Sequence, residues 1–285
     1  MSHIKNYASL VKISHTIFAL PFAMIGYTLG VTQPGQIFQP LMLLFVVLCM
    51  FFARNAAMSF NRYADRKFDA ANARTANREI PSGTVRPQHA LAFCIVNAIL
   101  FCATTLIISR LCFVLSPIAL AVVLGYSYTK RFTALCHFIL GLGLSLAPIG
   151  AYIAVTGAFT LTPLMFSVIV LLWSGGFDIL YALPDEDFDK NTGLFSIPSA
   201  IGRHRALWLS SIVHVICAAL VILVGYQAGF NVIYYIGAAL FIGCLIYQHC
   251  IISSKDISRV NVAFAAVNGV ASIIFSTFCT ISLLW

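Results

Sequence analysis

Charged residues are scarce in this sequence: they make up 9% of its 285 residues, while 60% are hydrophobic. Soluble domains carry roughly a quarter charged residues, so a chain whose whole surface faces water is excluded. Apolar stretches of about 20 residues, the length that crosses a bilayer core, recur along the chain. Because spanning backbone must satisfy its own hydrogen bonds, we expect these stretches to be helices. The predicted spans are 9–31, 40–60, 89–109, 112–129, 134–156, 163–183, 206–226, 230–252 and 262–284. The sequence therefore predicts an all-α, polytopic membrane protein forming one domain over residues 1–285.

Cysteine pairs are also missing. The nine cysteines are scattered, form no C-x-x-C pair and lie almost entirely within predicted spans. This distribution favours small apolar packing residues over a metal or redox site. The stretch 9–31 is too long for the hydrophobic region of a secretory signal peptide, so we expect no cleavable one.

The basic excess follows the membrane topology. The formal net charge is +8, and with a cytoplasmic N-terminus, 15 of the 17 Lys and Arg residues fall in cytoplasmic segments. The exceptions are Arg110, in a short external turn, and Arg54, inside the second span. This is the positive-inside pattern of membrane proteins, and it removes the need for a nucleic-acid partner. We expect an integral protein of the inner (cytoplasmic) membrane, with the lipid bilayer as its surroundings.

Acidic residues are concentrated more than topology requires: eight of the nine lie in two places. The first motif, at the end of the second span, contains Asn61, Asp65 and Asp69. A spacing of four residues rotates by about 40° per step on a helix, so these side chains share one stripe.

The second acidic motif lies at the end of the sixth span. Asp178, Asp185 and Asp189 fall within about 40° of one another on a helix, with Tyr181 nearby. Pro184 precedes Asp185, and proline cannot continue a helix without disruption. The stripe is therefore predicted to break or become a loop there, with the acids still able to converge.

Clustered carboxylates repel one another unless a cation lies between them, and oxygen ligands suit Mg²⁺, which also bridges substrate phosphates. Basic residues lie alongside the two motifs, and carboxylate-bound Mg²⁺ with Arg or Lys is a means of holding a diphosphate. These neighbouring basic residues are Arg66, Lys67, Arg74, Arg78, Lys130 and Arg131. The alternative interpretation is a solvated acidic loop with salt bridges. It is the weaker one, because there are two such motifs and both lie at cytoplasmic helix ends.

The motifs resemble those of the UbiA superfamily of intramembrane prenyltransferases, over essentially the whole chain. Its NxxxDxxxD motif is matched by Asn61, Asp65 and Asp69. Its DxxYxxxDxxxD motif is matched by Asp178, Tyr181, Asp185 and Asp189. Its YxxxK element is matched by Tyr126 and Lys130.

The resemblance implies helices around a lipid-accessible cavity, and Mg²⁺-assisted transfer of a prenyl group from a polyprenyl diphosphate. By this resemblance the metal ligands are Asn61, Asp65, Asp69, Asp185 and Asp189. The four aspartates and Lys130 are then the candidate catalytic residues. The residues expected to contact substrate are Asn61, Arg66, Arg74, Arg78, Tyr126, Lys130, Asp178 and Tyr181.

Two further residues concern the acceptor. The segments around Arg54 and His15 look like the 4-hydroxybenzoate polyprenyltransferase-like branch, which implies an aromatic acid of the 4-hydroxybenzoate or 1,4-dihydroxy-6-naphthoate type in ubiquinone or menaquinone synthesis. Arg54 lies seven residues before Asn61, on the same helix stripe and about 10 Å deeper, where a guanidinium could hold a carboxylate. The alternative is an Arg54 that snorkels to the interface or pairs with Asp65. His15 could hydrogen-bond the substrate or only pack within its helix.

Two other functions are considered. A UbiA-type enzyme could use a non-aromatic or porphyrin-like acceptor, in which case Arg54 would be dispensable. Charges within membrane spans also mark transport paths, but here the acids gather at one face of the membrane and do not line a path across it.

Overall fold

The computed structural model describes Tyr7, residues 9–11 and residues 19–285, and in this part of the chain there are helices and no strands. Among the described residues, eight helices are long and apolar enough to cross a membrane. They are α2 Pro40–Ala64, α4 Pro87–Ile108, α5 Arg110–Thr129, α6 Cys136–Thr156, α7 Leu161–Tyr181, α10 Arg203–Gln227, α11 Val232–Ile251 and α12 Val260–Leu284. Shorter helices in the described part of the chain include α1 Leu20–Val31, α3 Arg66–Ala71, α8 Glu186–Thr192 and α9 Ile197–Ile201. The predicted all-α, polytopic architecture is confirmed, and α1 together with the helical residues 9–11 belongs to the span predicted at 9–31.

Local sequence signals explain where several helices begin and end. Pro40 and Pro87 open α2 and α4, because a proline in the first turn lacks only an N–H that would have no partner in the helix. The hydroxyl of Ser109 accepts the N–H of Cys112 at 3.1 Å and caps α5. Gly157 ends α6 in the left-handed conformation, with φ of 67°.

Small residues allow the helices to approach closely. In lipid, helices associate through van der Waals packing and interhelical hydrogen bonds, because the surrounding chains are as apolar as the side chains. A Cβ atom at Gly26 of α1 would lie 1.9 Å from the carbonyl oxygen of Pro148 in α6. Polar contacts add to this packing: the Asn55 amide of α2 donates to Asn97 of α4 at 3.2 Å.

The two halves of the bundle are packed differently. Aromatic side chains of α1, α7, α11 and α12 fill one half around the fully buried Trp173, with Phe22 at 5.1 Å between ring centroids. The other half, built by α2, α4, α5 and α6, encloses a cavity. Both acidic motifs and the short helices α3, α8 and α9 lie at one end of the bundle. The fold therefore places a polar site above a cavity in the membrane.

Candidate active site

The first acidic motif lies where α2 ends. Asp65 leaves the helical conformation (φ −92°, ψ 5°), so α2 ends at Ala64 and Asp69 belongs to the separate helix α3. The prediction of one continuous helical stripe is therefore wrong at Asp65. Asn61 Nδ2 nevertheless donates to Asp65 Oδ2 at 3.0 Å, and Asn61, Asp65 and Asp69 line the same polar chamber.

The second acidic motif lies where α7 ends. Asp178 occupies the last turn of α7, which ends at Tyr181. A 3₁₀ turn over Leu183–Asp185 contains Pro184 and leads into α8, which carries Asp189. The predicted interruption of the helix before Asp185 is confirmed.

Arginine side chains neutralise the first motif. Arg131 Nη2 lies 3.4 Å from Asp65 Oδ1 and also donates to the carbonyl oxygen of Ala64 at 2.8 Å. Arg78 Nη1 lies 2.6 Å from Asp69 Oδ1. Each carboxylate of this motif therefore has a cation beside it.

Basic and amide groups also hold the second motif and join it to the first. Arg74 and Asn72, which follow α3, both donate hydrogen bonds to Asp185. Arg74 Nε lies 3.0 Å from Asp185 Oδ1, and Arg74 Nη2 pairs with Oδ2. Asn72 Nδ2 lies 2.9 Å from Asp185 Oδ1. Lys130 Nζ, at the end of α5, lies 2.7 Å from Oδ1 of the fully buried Asp189. Segments far apart in the sequence thus converge on one site.

The chamber between the two motifs has a volume of about 200 Å³. Its wall includes Asp65, Asp69 and Asp185 with the basic residues Arg74, Arg78, Lys130 and Arg131. Burial, and then the neighbouring charge of Asp69, raises the pKa of Asp65. Burial likewise raises the pKa of Asp189, although Lys130 opposes the shift. Both shifts mean that burial disfavours the ionised form of these acids, an effect that a bound cation would oppose.

The donor set fits a hard cation that is shared with a ligand. Asp69 Oδ2 is buried and has no hydrogen-bond partner among the described residues, and the chamber offers carboxylate and amide oxygens of the kind Mg²⁺ prefers. Over residues 19–285, no group of three His, Cys, Asp or Glu side chains forms a closed metal cage. Mg²⁺ commonly binds one or two carboxylates plus substrate phosphates, so this open arrangement is compatible with Mg²⁺ bound together with a phosphorylated substrate.

A second, apolar cavity of about 420 Å³ continues from the chamber into the membrane-spanning part. The residues that line both spaces are Asn61, Arg78, Tyr126, Leu140, Asp178 and Tyr181, and we call this boundary the junction. Ile118 and Phe159 line the cavity and are also 62% and 63% exposed on the outer surface. Ile118 lies in α5 and Phe159 in the loop between α6 and α7, so the cavity wall reaches the outer surface of the protein at both places.

Arg54 lines this apolar cavity on the α2 wall. Among the described residues, Arg54 has no ion-pair partner, and its buried Nε has no hydrogen-bond partner. The alternative of an Arg54–Asp65 pair is wrong, because Asp65 is paired with Arg131. Arg54 shares the cavity wall with Tyr126 and Asp178, two residues of the junction.

The other predicted substrate contacts have different surroundings. Tyr181 stacks on Phe264 with 4.1 Å between ring centroids, and the Arg74 guanidinium lies 4.8 Å from the Tyr181 ring centre. Arg66 does not line the chamber; it donates to the Tyr63 carbonyl at 2.7 Å and lies over the Tyr63 ring. His15 falls outside the described residues.

Sequence reasoning passed over two residues of the site. His137, in the first turn of α6, is 2% exposed and its Nδ1 lies 2.7 Å from Asp178 Oδ2. Arg62, 3% exposed, lies 3.9 Å from Glu79 and lines the cavity beside Arg54. A polar residue within a predicted span is the signal that identified Arg54, and the same signal would have identified His137.

Comparisons with known proteins agree with this arrangement. Residues 19–275 match the UbiA prenyltransferase family. A 4-hydroxybenzoate octaprenyltransferase of Aliivibrio fischeri (strain MJ11) is 33% identical over 233 residues, which are 82% of this chain and 81% of that protein. One of Aeromonas salmonicida (strain A449) is 30% identical over 82% of this chain and 80% of its own length.

Solved structures share the architecture. A UbiA homolog from Aeropyrum pernix K1, in its apo form, superposes with a TM-score of 0.85 at 30% identity, covering 94% of this chain and 98% of that one. A UbiA homolog from Archaeoglobus fulgidus, bound to DMAPP and Mg²⁺, superposes with a TM-score of 0.76 at 20% identity, covering 98% and 99%. Because the family match spans most of the sequence and the fold agrees, this chain belongs to the UbiA prenyltransferase family and is a membrane-embedded prenyltransferase.

Proposed function

We propose that the chain transfers a polyprenyl group from a polyprenyl diphosphate to an aromatic carboxylate acceptor, of the 4-hydroxybenzoate or 1,4-dihydroxy-6-naphthoate type, in ubiquinone or menaquinone synthesis. The observation that carries this proposal is Arg54, a guanidinium without an ion-pair partner among the described residues, in the wall of an apolar cavity that joins the acidic chamber. Relatives named 4-hydroxybenzoate octaprenyltransferase support the same assignment.

The acidic chamber is proposed as the diphosphate site. Of the residues expected to hold Mg²⁺, Asn61, Asp65, Asp69 and Asp185 line this chamber, whereas the fully buried Asp189 does not line it and instead pairs with Lys130 in the chamber wall. When bound, Mg²⁺ supplies positive charge that stabilises the departing diphosphate. Arg74, Arg78 and Lys130 now pair with the acids, and a metal that neutralises those acids would release the bases to phosphate oxygens. The Archaeoglobus fulgidus homolog bound to DMAPP and Mg²⁺ supports this pairing of ligands.

The apolar cavity is proposed to hold the isoprenoid chain and the acceptor ring. Its apolar wall, which reaches the outer surface of the spanning helices at Ile118 of α5, suits a hydrocarbon chain that enters from lipid. Arg54 would bind the acceptor carboxylate through two parallel N–H···O bonds, a geometry that a guanidinium provides. The ring would then point from Arg54 toward the junction, where the first carbon of the prenyl chain meets the diphosphate.

The chemistry follows from this placement. The allylic C–O bond breaks and its electron pair leaves with the diphosphate, which Lys130, Arg74 and Arg78 hold. An electron-rich ring carbon attacks the resulting allylic cation, a C–C bond forms, and the ring then loses a proton. Water is kept from the cation by the apolar wall of the cavity, which limits hydrolysis to the prenyl alcohol.

The positive-inside distribution of charge supports an inner-membrane protein whose chamber faces the cytoplasm. The basic residues around the chamber and the uncharged loops at the opposite end are the basis of this orientation. We propose that residues 1–285 act as one integral-membrane domain, because the chamber requires residues from α2 through α8.

The test is the dependence of acceptor use on Arg54. Arg54→Met should lower kcat/KM for 4-hydroxybenzoate at least ~30-fold, since truncating one partner of a buried charge pair costs about 2–5 kcal/mol. Arg54→Lys keeps the charge but lacks the planar fork, so it should recover part of that loss. Arg110→Met, at the exposed start of α5, is the matched control and should behave as the parent.

Two comparisons make the result specific. A phenol without the carboxylate should be used equally poorly by the parent and by Arg54→Met. Thermal stabilisation by Mg²⁺ and prenyl diphosphate should persist in the variant, because Arg54 does not line the chamber. Unchanged turnover of the aromatic acid by Arg54→Met would overturn the acceptor assignment.

A further inference from the structure

Asp178 differs from the other aspartates of the two motifs. The other four each face an Arg or Lys side chain. Among the described residues, the partner of Asp178 is His137, whose Nδ1 lies 2.7 Å from Asp178 Oδ2. Asp178 also lines both the chamber and the apolar cavity. It is thus an aspartate at the junction that, among the described residues, is held by a histidine and not by an Arg or Lys side chain.

The contacts of His137 define the protonation of its ring. Its Nε2 lies 3.2 Å from the backbone nitrogen of Ile197, and a backbone N–H can only donate. Nε2 is therefore the acceptor nitrogen, and the single ring proton resides on Nδ1, directed at Asp178 Oδ2. A neutral imidazole fixed by one hydrogen bond holds a carboxylate by the other, which is an arrangement that orients an acid-base group.

The second carboxylate oxygen of Asp178 is not engaged by His137. Oδ1 has no hydrogen-bond partner among the described residues, and the side chain is 18% exposed. Asp178 and Arg54 line the same apolar cavity, together with Tyr126. An acceptor ring held by Arg54 and directed at the junction would therefore have the Asp178 carboxylate near its reacting edge.

We propose that His137 is a positioning residue that holds Asp178 so that Asp178 Oδ1 accepts the proton lost from the acceptor ring. This inference rests on the proposed aromatic acceptor. After the C–C bond has formed, the electron pair of the ring C–H bond returns to the ring, and the proton moves to Asp178 Oδ1. The neutral carboxylic acid then passes this proton to water or diphosphate in the chamber.

Three substitutions of His137 separate its two contacts. His137→Asn places an amide N–H near the position of Nδ1 and can keep the bond to Asp178, but it cannot reach Ile197. His137→Gln places its amide oxygen near the position of Nε2 and can accept the Ile197 N–H, but it offers no donor at Nδ1. His137→Phe keeps the bulk of the ring and loses both contacts.

The measurement is kcat with ordinary 4-hydroxybenzoate and, separately, with the acceptor deuterated at the ring positions beside the hydroxyl. A positioned base contributes about 10²- to 10⁴-fold, so His137→Phe and His137→Gln should lower kcat at least ~10-fold. Both should show a primary isotope effect on kcat that the parent lacks, because proton loss becomes slow. His137→Asn should retain most of the parent kcat with little isotope effect.

Other outcomes of these measurements would overturn the proposal or the function on which it rests. Recovery by His137→Gln but not by His137→Asn would assign the residue to anchoring Ile197 and overturn the proposal. A rise in acceptor KM without any isotope effect would make Asp178 a binding group only, which also overturns it. If the parent enzyme prenylates neither aromatic acid, the proposed function itself fails; if it does so and the His137 variants match it, only this inference fails.

Discussion

Replacing Lys130 with methionine tests the diphosphate site most fully, because it removes one charge and keeps the length of the side chain. Lys130 Nζ lies 2.7 Å from Oδ1 of Asp189, which is fully buried. In the proposed substrate complex the same ammonium contacts a phosphate oxygen. A hydrogen bond to a charged group contributes about 1.5–3 kcal/mol, so Lys130→Met should lower kcat/KM for the prenyl diphosphate by roughly 10- to 150-fold.

The same substitution should also destabilise the fold. It leaves the Asp189 carboxylate buried without its cation, and an unpaired buried group costs about 1–3 kcal/mol. The lower part of that range is expected, because the Lys130 side chain is 32% exposed and water can partly replace it. Thermal unfolding of the detergent-solubilised protein would measure this loss.

The double variant Lys130→Met/Asp189→Asn separates the two effects. It removes the unpaired charge as well, so most of the lost stability should return while activity stays at least as low as in Lys130→Met. Lys190→Met is the control, since Lys190 is 47% exposed and pairs with Glu186 one helical turn away. Two results would refute the assignment of Lys130 as a diphosphate contact. One is a kcat/KM for Lys130→Met within threefold of the parent value. The other is recovery of both stability and activity in the double variant.

The remaining predictions concern the metal and the helix packing. Asp65→Asn should abolish both Mg²⁺-dependent diphosphate release and the thermal stabilisation by Mg²⁺ plus prenyl diphosphate. In the parent this stabilisation is about 2.7 kcal/mol when the ligand is at 100 times its Kd. Persistence of either effect would contradict a metal role for Asp65. Gly26→Ala should cost about 1–3 kcal/mol or more, because its Cβ would lie 1.9 Å from the Pro148 carbonyl oxygen. Gly243→Ala, where a Cβ meets open space, should not lower the melting temperature, and equal behaviour of the two glycine variants would contradict the close packing of α1 on α6.

Much of the fold could be predicted from the sequence, because membrane spans are determined by the length and apolarity of local segments. The interruption before Asp185 followed from Pro184 alone. The interruption at Asp65 could not be predicted, since no proline or glycine marks it and the helical spacing continues through Asp69.

Sequence spacing could not predict which residues pair with one another in the site. Periodicity indicates the helix face on which Asp178 lies, but the bond between Asp178 and His137 joins positions 41 residues apart. Arg74 and Asp185 are separated by 111 residues. Such pairs depend on how the helices pack. The direction of Arg66 toward Tyr63 likewise depends on the break in the helix, since Arg66 is the first residue of α3.

The most direct test of the account is the product made by the purified parent protein. It should be incubated with Mg²⁺, a long-chain polyprenyl diphosphate and each aromatic acid in turn, followed by mass analysis. One prenyl group should be added to the ring, with the carboxylate retained and one diphosphate released per product, and no product should form when the metal is chelated. Release of prenyl alcohol alone with both acids, or equal transfer to a phenol that lacks the carboxylate, would contradict it.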